Sequence, residues 1–175
     1  MTPAFLHLLV DRFVELEPQL NALDAATGDG DHGTTMLKGL RAAAAAPDTP
    51  ALAFRTASGG ASGTIFSFVI DALVATGTES LPAALTKAAN RIAQIGGAKA
   101  GDKTMLDALI PAAQTADAAT AAEAARSGAE ATRPMAARRG RARHVEGAGV
   151  GHLDAGAVSV AEILELFAAT GGGKP

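Results

Sequence analysis

The chain has 175 residues, a formal net charge of −3 and no Cys; 48% of it is hydrophobic but only 3% aromatic. That length is enough for one domain with its own core, and the missing Cys excludes a disulfide framework or a thiolate metal site. Lys and Arg are dispersed except for a late cluster at 138–143, so a bulk affinity for nucleic acid is not implied, and no run of about 18 apolar residues is present to form a membrane-spanning helix.

Alanine is the commonest residue; it is the best helix former and lets helix backbones approach closely, so helices packed on helices are expected rather than a sheet. Leu6, Leu9, Val10, Phe13, Val14, Leu16 and Leu20 recur at helical spacing and predict a first helix over 3–23. Asp11, Arg12 and Glu15 fall inside that pattern, which a secretory leader would not tolerate, so a cytoplasmic protein with no membrane partner is expected. After a glycine-rich break, a second helix is expected from Thr34 or Thr35, either of which could cap it, through Leu40 and the alanine run to Pro47. Residues 51–58 predict a short helix, and Gly59-Gly60-Ala61-Ser62-Gly63 opens the next, which carries Ile65, Phe66, Val69 and Leu73.

Leu81, Leu85, Ala88, Ile92 and Ile95 form the stripe of a further helix closed by Gly96-Gly97. Gly101-Asp102-Lys103-Thr104 opens one with Met105, Leu106, Leu109 and Ile110, Asp102 and Lys103 being expected in cap and dipole roles. The alanine-rich residues 116–139 predict a long helix, 146–156 a third glycine-rich stretch, and 158–167 the last helix. The expected organisation is all-α: a single domain of seven or eight helices over 1–170, with a flexible tail at 171–175.

The chemistry concentrates in Gly28-Asp29-Gly30-Asp31-His32-Gly33, with Asp24 five residues ahead of Asp29. Three carboxylates so close repel one another, and a hard divalent cation with oxygen ligands relieves the repulsion. The spacing is not that of a calcium-binding EF-hand loop. One or two Mg²⁺ ions would leave coordination positions for phosphate oxygens, the arrangement that phosphoryl transfer requires. Gly59–Gly63 offers small residues whose N–H groups can face phosphate at a helix start, although no P-loop pattern is present. Arg141, planar and permanently charged, can bind phosphate bidentately; its neighbours Arg138, Arg139 and Arg143 are read as solvated. The plainer alternatives are a solvated acidic turn, a helix-punctuating glycine loop and a basic helix end. His32 is read as a hydrogen-bond partner that steadies an aspartate rather than as a proton carrier.

Leu23-Asp24, GDGDHG at 28–33, GGASG at 59–63, GDKTMLDALIPA at 101–112, Met135 with RRGRA at 138–142 and GHLDAGAVSV at 151–160 occur in one order along the chain. Together they resemble the L subunit of dihydroxyacetone kinase, the nucleotide-binding partner in a two-component sugar kinase. The resemblance implies an eight-helix antiparallel barrel with Mg²⁺–ADP or Mg²⁺–ATP at one end. By that match Asp24, Asp29 and Asp31 are the metal ligands, for two ions. His32, Gly33, Thr34, Thr35, Ala61 and Ser62 would line the phosphates, and Gly96 and Met105 would flank the nucleotide. Arg141, as the catalytic contact, and the Asp154-Ala155-Gly156 turn would complete the site. The sugar would sit on a separate K subunit. The phosphoryl donor is either free ATP or a bound ADP recharged by a phosphotransferase-system protein.

The chain departs from the family at Thr35, where Asn is usual, at Ala155 in place of proline, and at His144 in place of tyrosine. Its short connection after the second helix implies that one barrel helix is trimmed. Two other readings remain: a module that reports nucleotide state to a transcription regulator, and a nucleotide domain like that of fatty acid kinase, whose motif usually reads PDGDTG.

Overall fold

In a computed structural model, which describes residues 1–171, the Thr2 hydroxyl accepts the Phe5 N–H at 3.3 Å, and Pro3 begins helix α1 (Pro3–Ala25) where a missing N–H costs nothing. Helix α2 (His32–Ala45) starts earlier than expected, with Asp31 at the N-cap. Thr34 does not cap it, because its hydroxyl donates to Glu17 Oε1 at 2.7 Å and accepts from Asn21 Nδ2 at 3.0 Å on α1. Helix α3 (Pro50–Ser58) ends at Gly59, whose φ of +66° suits glycine, and α4 (Gly60–Ala75) follows at once. The short connection after α2 therefore removes no helix.

Helix α5 (Leu81–Gly96) stops at Gly97 in the left-handed conformation. Helix α6 (Leu106–Ala113) is followed by α7 (Ala118–Ala131), which begins in a capping box: Thr120 N–H donates to Asp117 at 2.9 Å, and Thr120 Oγ1 accepts from Asp117 N–H at 3.4 Å. The long helix expected over 116–139 ends at Ala131. Pro134 cannot continue it, since its ring would clash with the carbonyl of Glu130 and it carries no N–H. Residues 132–154 instead form an irregular excursion with two short 3-10 turns, Arg141–His144 and Glu146–Gly149. Asp154 caps α8 (Ala155–Ala169) by accepting the Ala157 N–H at 2.7 Å, which starts that helix three residues ahead of the expected 158. Of the expected tail, residues 172–175 lie outside the described residues.

Each helix packs on the next in sequence, and α8 returns to α1, so the eight helices among the described residues close an antiparallel barrel. Phe5, Phe13, Phe54 and Phe66 fill its interior at 2% exposure or less, each burial worth roughly 1.5–3 kcal/mol. Phe5 of α1 meets Phe167 of α8 edge to face at 5.6 Å, sealing the closure. On the flank, buried Glu162 accepts from Arg12 at 2.8 Å and from Arg126 at 2.6 Å, joining α1, α7 and α8. Alanine permits close contact: α7 buries Ala121, Ala122, Ala125 and Ala129. At Gly128 a Cβ would stand only 3.0 Å from the Ala108 Cα of α6. Among the described residues no helix is long and apolar enough to cross a membrane.

Antiparallel alternation has one consequence for chemistry. The α1–α2, α3–α4, α5–α6 and α7–α8 connections all lie at the same end, and these carry the glycine-rich motifs.

Candidate functional site

The acidic loop is built around Asp24, at the last turn of α1. Its carboxylate accepts the N–H groups of Gly30 at 2.9 Å and Asp31 at 3.0 Å, folding the chain back on the helix end. Gly30 makes the turn with φ +78°, where a Cβ would also press on Ala25 Cβ at 3.2 Å. The result gathers Asp24, Asp29 and Asp31 so that one carboxylate oxygen from each lies within 4.8 Å of the others. Three convergent anionic oxygens fit a hard divalent cation. Desolvation and the charge of Asp29 push the Asp31 carboxyl above its usual range. Desolvation is the largest single influence on Asp29 as well and raises it, but the hydrogen bond and charge of Arg141, together with hydrogen bonds within the loop, outweigh it and hold that carboxyl low.

His32 is buried behind the loop. Its Nε2 is 2.9 Å from Ser159 Oγ on α8, and its ring tilts on Phe66, 5.6 Å away. Its hydrogen-bond partner is thus a serine and not an aspartate. Burial lowers its pKa to about 4, against a smaller opposing effect of Asp24, so the ring is neutral at neutral pH and anchors α2 to α8.

Beside the acidic loop opens a cleft of about 520 Å³, within the range of small-ligand sites. Ala61 and Ser62 line it from the first turn of α4, where backbone N–H groups lack helical acceptors. Phe66, Ile92 and Ile95 give it an apolar wall, and Gly96 and Met105 border it from α5 and the loop before α6. Asp154, Ala155 and Gly156 line the side formed by α8, with Gly156 close enough that a Cβ would meet Met105 Cβ at 3.4 Å. Desolvation raises the Asp154 carboxyl to about 6, partly offset by the Ala157 N–H that it accepts.

Asp24, His32 and Arg141 also border the cleft, whereas Asp29, Asp31, Gly33, Thr34 and Thr35 are not among its lining residues. Gly33 is packed on α1, where a Cβ would lie 2.9 Å from Glu17 Cα, and Thr35 presents its carbonyl to the Ser58 hydroxyl at 3.2 Å.

Three placements were not legible in the sequence. Lys103 is no helix cap: it is 3% exposed, lines the cleft and donates to the Thr132 carbonyl at 2.7 Å. The start of α6 is served by Asp107, which accepts the N–H groups of Gly101 at 2.5 Å and Thr104 at 2.8 Å. Arg139 is exposed, as expected of a solvated residue, but it also borders the cleft with its Nε 3.6 Å from Asp102. The apolar wall from Ile92 and Ile95 was visible as a stripe, but nothing in the stripe distinguished cleft from core.

The chain is similar to D-erythrulose kinase of Mycolicibacterium smegmatis, with 31% identity over 186 residues covering 87% of this chain and 32% of that protein. It is 35% identical over 182 residues to the Triokinase/FMN cyclase of Homo sapiens, covering 87% of this chain and 32% of that protein. It therefore spans about a third of the length of these curated relatives. The crystal structure of the dihydroxyacetone kinase from C. freundii in complex with AMP-PNP and Mg²⁺ matches with a TM-score of 0.73 and 27% identity, over 96% of this chain and 33% of that one. The DAK2 domain matches residues 26–169, a stretch that begins two residues after Asp24 and includes all four connections at the cleft end. With most of the barrel inside that match, the chain belongs to the DAK2 domain family.

Proposed function

We propose that this chain is the nucleotide-binding unit of a two-component kinase for a small hydroxy-ketone of the dihydroxyacetone type, acting in the cytoplasm. The observation that carries the reading is the convergence of Asp24, Asp29 and Asp31 with Arg141 at the mouth of a 520 Å³ cleft, in a fold shared with a kinase bound to AMP-PNP and Mg²⁺. The names of the relatives, kinases of triose and tetrose type, support the substrate class.

In this reading Asp24, Asp29 and Asp31 hold Mg²⁺, with two ions expected. Bound there, Mg²⁺ would neutralise the carboxylates and supply Lewis-acid stabilisation of phosphate charge. The first-turn N–H groups of α4 at Ala61 and Ser62 face the phosphates, and the apolar wall of Ile92 and Ile95 receives the base. Arg141 turns from Asp29 to the transferring phosphoryl group, where it offsets developing charge. Neutral His32 keeps the acidic loop against α8 and moves no proton. The acceptor hydroxyl arrives on a substrate-binding K subunit that meets the chain at this end of the barrel. Catalysis by this chain alone is not expected.

The test is the nucleotide content of protein purified in Mg²⁺, released by acid and resolved by chromatography. Stoichiometric ADP that survives dialysis supports a bound cofactor recharged by a phosphotransferase protein. Binding of added Mg²⁺–ATP supports a freely exchanging donor. Failure to bind either refutes the proposal, and binding without turnover in the presence of a K subunit would instead indicate a reporter for a transcription regulator.

A further inference from the structure

Lys103 is buried in a left-handed backbone conformation, φ +59°, shared among the described non-glycine residues only with Ala148. Its ammonium donates to two carbonyls, Thr132 at 2.7 Å and His152 at 2.5 Å. These carbonyls stand at the two ends of the excursion between α7 and α8, the segment that carries Arg141. The aliphatic stem passes Gly149, where a Cβ would meet Lys103 Cε at 3.3 Å and Thr27 Cγ2 at 2.6 Å. Thr27 immediately precedes the acidic loop, so Lys103 sits where three of the four cleft-end connections meet.

We propose that Lys103 is a positioning residue, whose ammonium clamps the two ends of the 132–152 excursion and thereby sets Arg141 over the acidic loop.

Neighbouring bonds run the same way. The Arg138 N–H donates to the Asp102 carbonyl at 3.0 Å, Gly151 N–H to the Arg133 carbonyl at 2.8 Å and Ala137 N–H to the Ala148 carbonyl at 2.8 Å. The buried Thr132 hydroxyl accepts the Asp154 N–H at 2.9 Å, tying the end of α7 to the cap of α8. A charged donor suits this task because an ammonium satisfies several acceptors at once, and those bonds are stronger than neutral ones. Burial pushes the amine below its ordinary range, while the charges of Asp154 and Asp107 push it back. The left-handed backbone is tolerated because the surroundings fix it from several sides. An ammonium spent on two carbonyls is not aimed at phosphate, which separates Lys103 from Arg141. The clamp itself stands on geometry, whereas its consequence for phosphoryl transfer rests on the proposed function.

Hydrogen exchange read by mass spectrometry tests the clamp without any assay of activity. In Lys103→Met, amides of 137–151 should exchange at least about tenfold faster, with peptides of α1 to α5 within about twofold of the parent. Lys103→Arg, which keeps a donor within reach, should return most of the protection. Unchanged exchange in 137–151, or acceleration spread equally over all helices, overturns the proposal. So does loss of helical circular dichroism in Lys103→Met, since Lys103 would then serve the whole fold. With a K subunit, Lys103→Met should lower kcat while leaving KM for nucleotide nearly unchanged. Faster exchange with kcat intact would keep the clamp and count against the role given to Arg141.

Discussion

The guanidinium of Arg141 donates to the carboxylate of Asp29 across 112 residues of chain, joining the α7–α8 excursion to the acidic loop. Both side chains are exposed, so the pair exchanges readily with solvent and with ions. In the proposed function, a cation held by the three aspartates would compete with the guanidinium for one carboxylate. Arg141→Ala should therefore tighten Mg²⁺ binding to the chain alone, by up to about fivefold in titration calorimetry. The same variant should slow phosphoryl transfer by at least about a hundredfold, because charge developing in transfer loses its counterpart. Equal losses in transfer and in nucleotide affinity would reduce Arg141 to a docking residue.

Asp29→Ala removes one of three convergent oxygens and strands Arg141. Affinity for Mg²⁺–nucleotide should fall by at least about tenfold, measured by equilibrium dialysis. A variant that binds as tightly as the parent would remove Asp29 from the metal site.

Stability against pH separates His32 from Asp154. The folded value of His32, about 4, lies below the ordinary 6.5, so the unfolded chain binds more protons between them. Its contribution of about 3 kcal/mol is present above pH 6.5 and is lost as pH falls towards 4. Asp154 is opposite: folded at about 6 against an ordinary 3.8, it contributes about 3 kcal/mol at low pH that is lost as pH rises through 6. The two slopes nearly cancel in the parent. Asp154→Asn retains a capping oxygen but abolishes one titration. Urea unfolding at several pH values should show the variant's stability rising with pH more steeply than the parent's, by about 1.4 kcal/mol per unit between pH 4 and pH 6. Parallel curves would contradict the raised Asp154.

Gly128→Ala tests the close contact of α6 and α7. The added methyl group meets the backbone of Asp107 and Ala108 rather than a flexible side-chain end, so the helices must part. A cost of about 2 kcal/mol is expected, lowering Tm by roughly 4–8 °C in a calorimetric scan. An unchanged Tm would show that the interface can widen freely.

The helices were legible because their cause is local. Leu6 to Leu20 repeat at helical spacing, glycines punctuate the helix ends, and alanine content favours close helix packing. Legibility failed at residues 132–139, where alanine and arginine suit a helix but Pro134 ends it, and at Thr34, whose hydroxyl found Glu17 before it could cap α2. The acidic triad could be read from spacing, as Asp24, Asp29 and Asp31 span eight positions and a turn of glycine brings them together.

By itself the sequence determined an all-α domain, its apolar faces and an acidic loop able to hold a divalent cation, since periodicity, capping and like-charge repulsion act over a few residues. Only the tertiary structure decided that Arg141 meets Asp29, that His32 rests on Ser159, and that Lys103 bonds the carbonyls of Thr132 and His152. Those contacts join residues far apart in the chain, and they exist because closing the barrel brings alternate connections to one end, a property of the packed helices that no local pattern encodes.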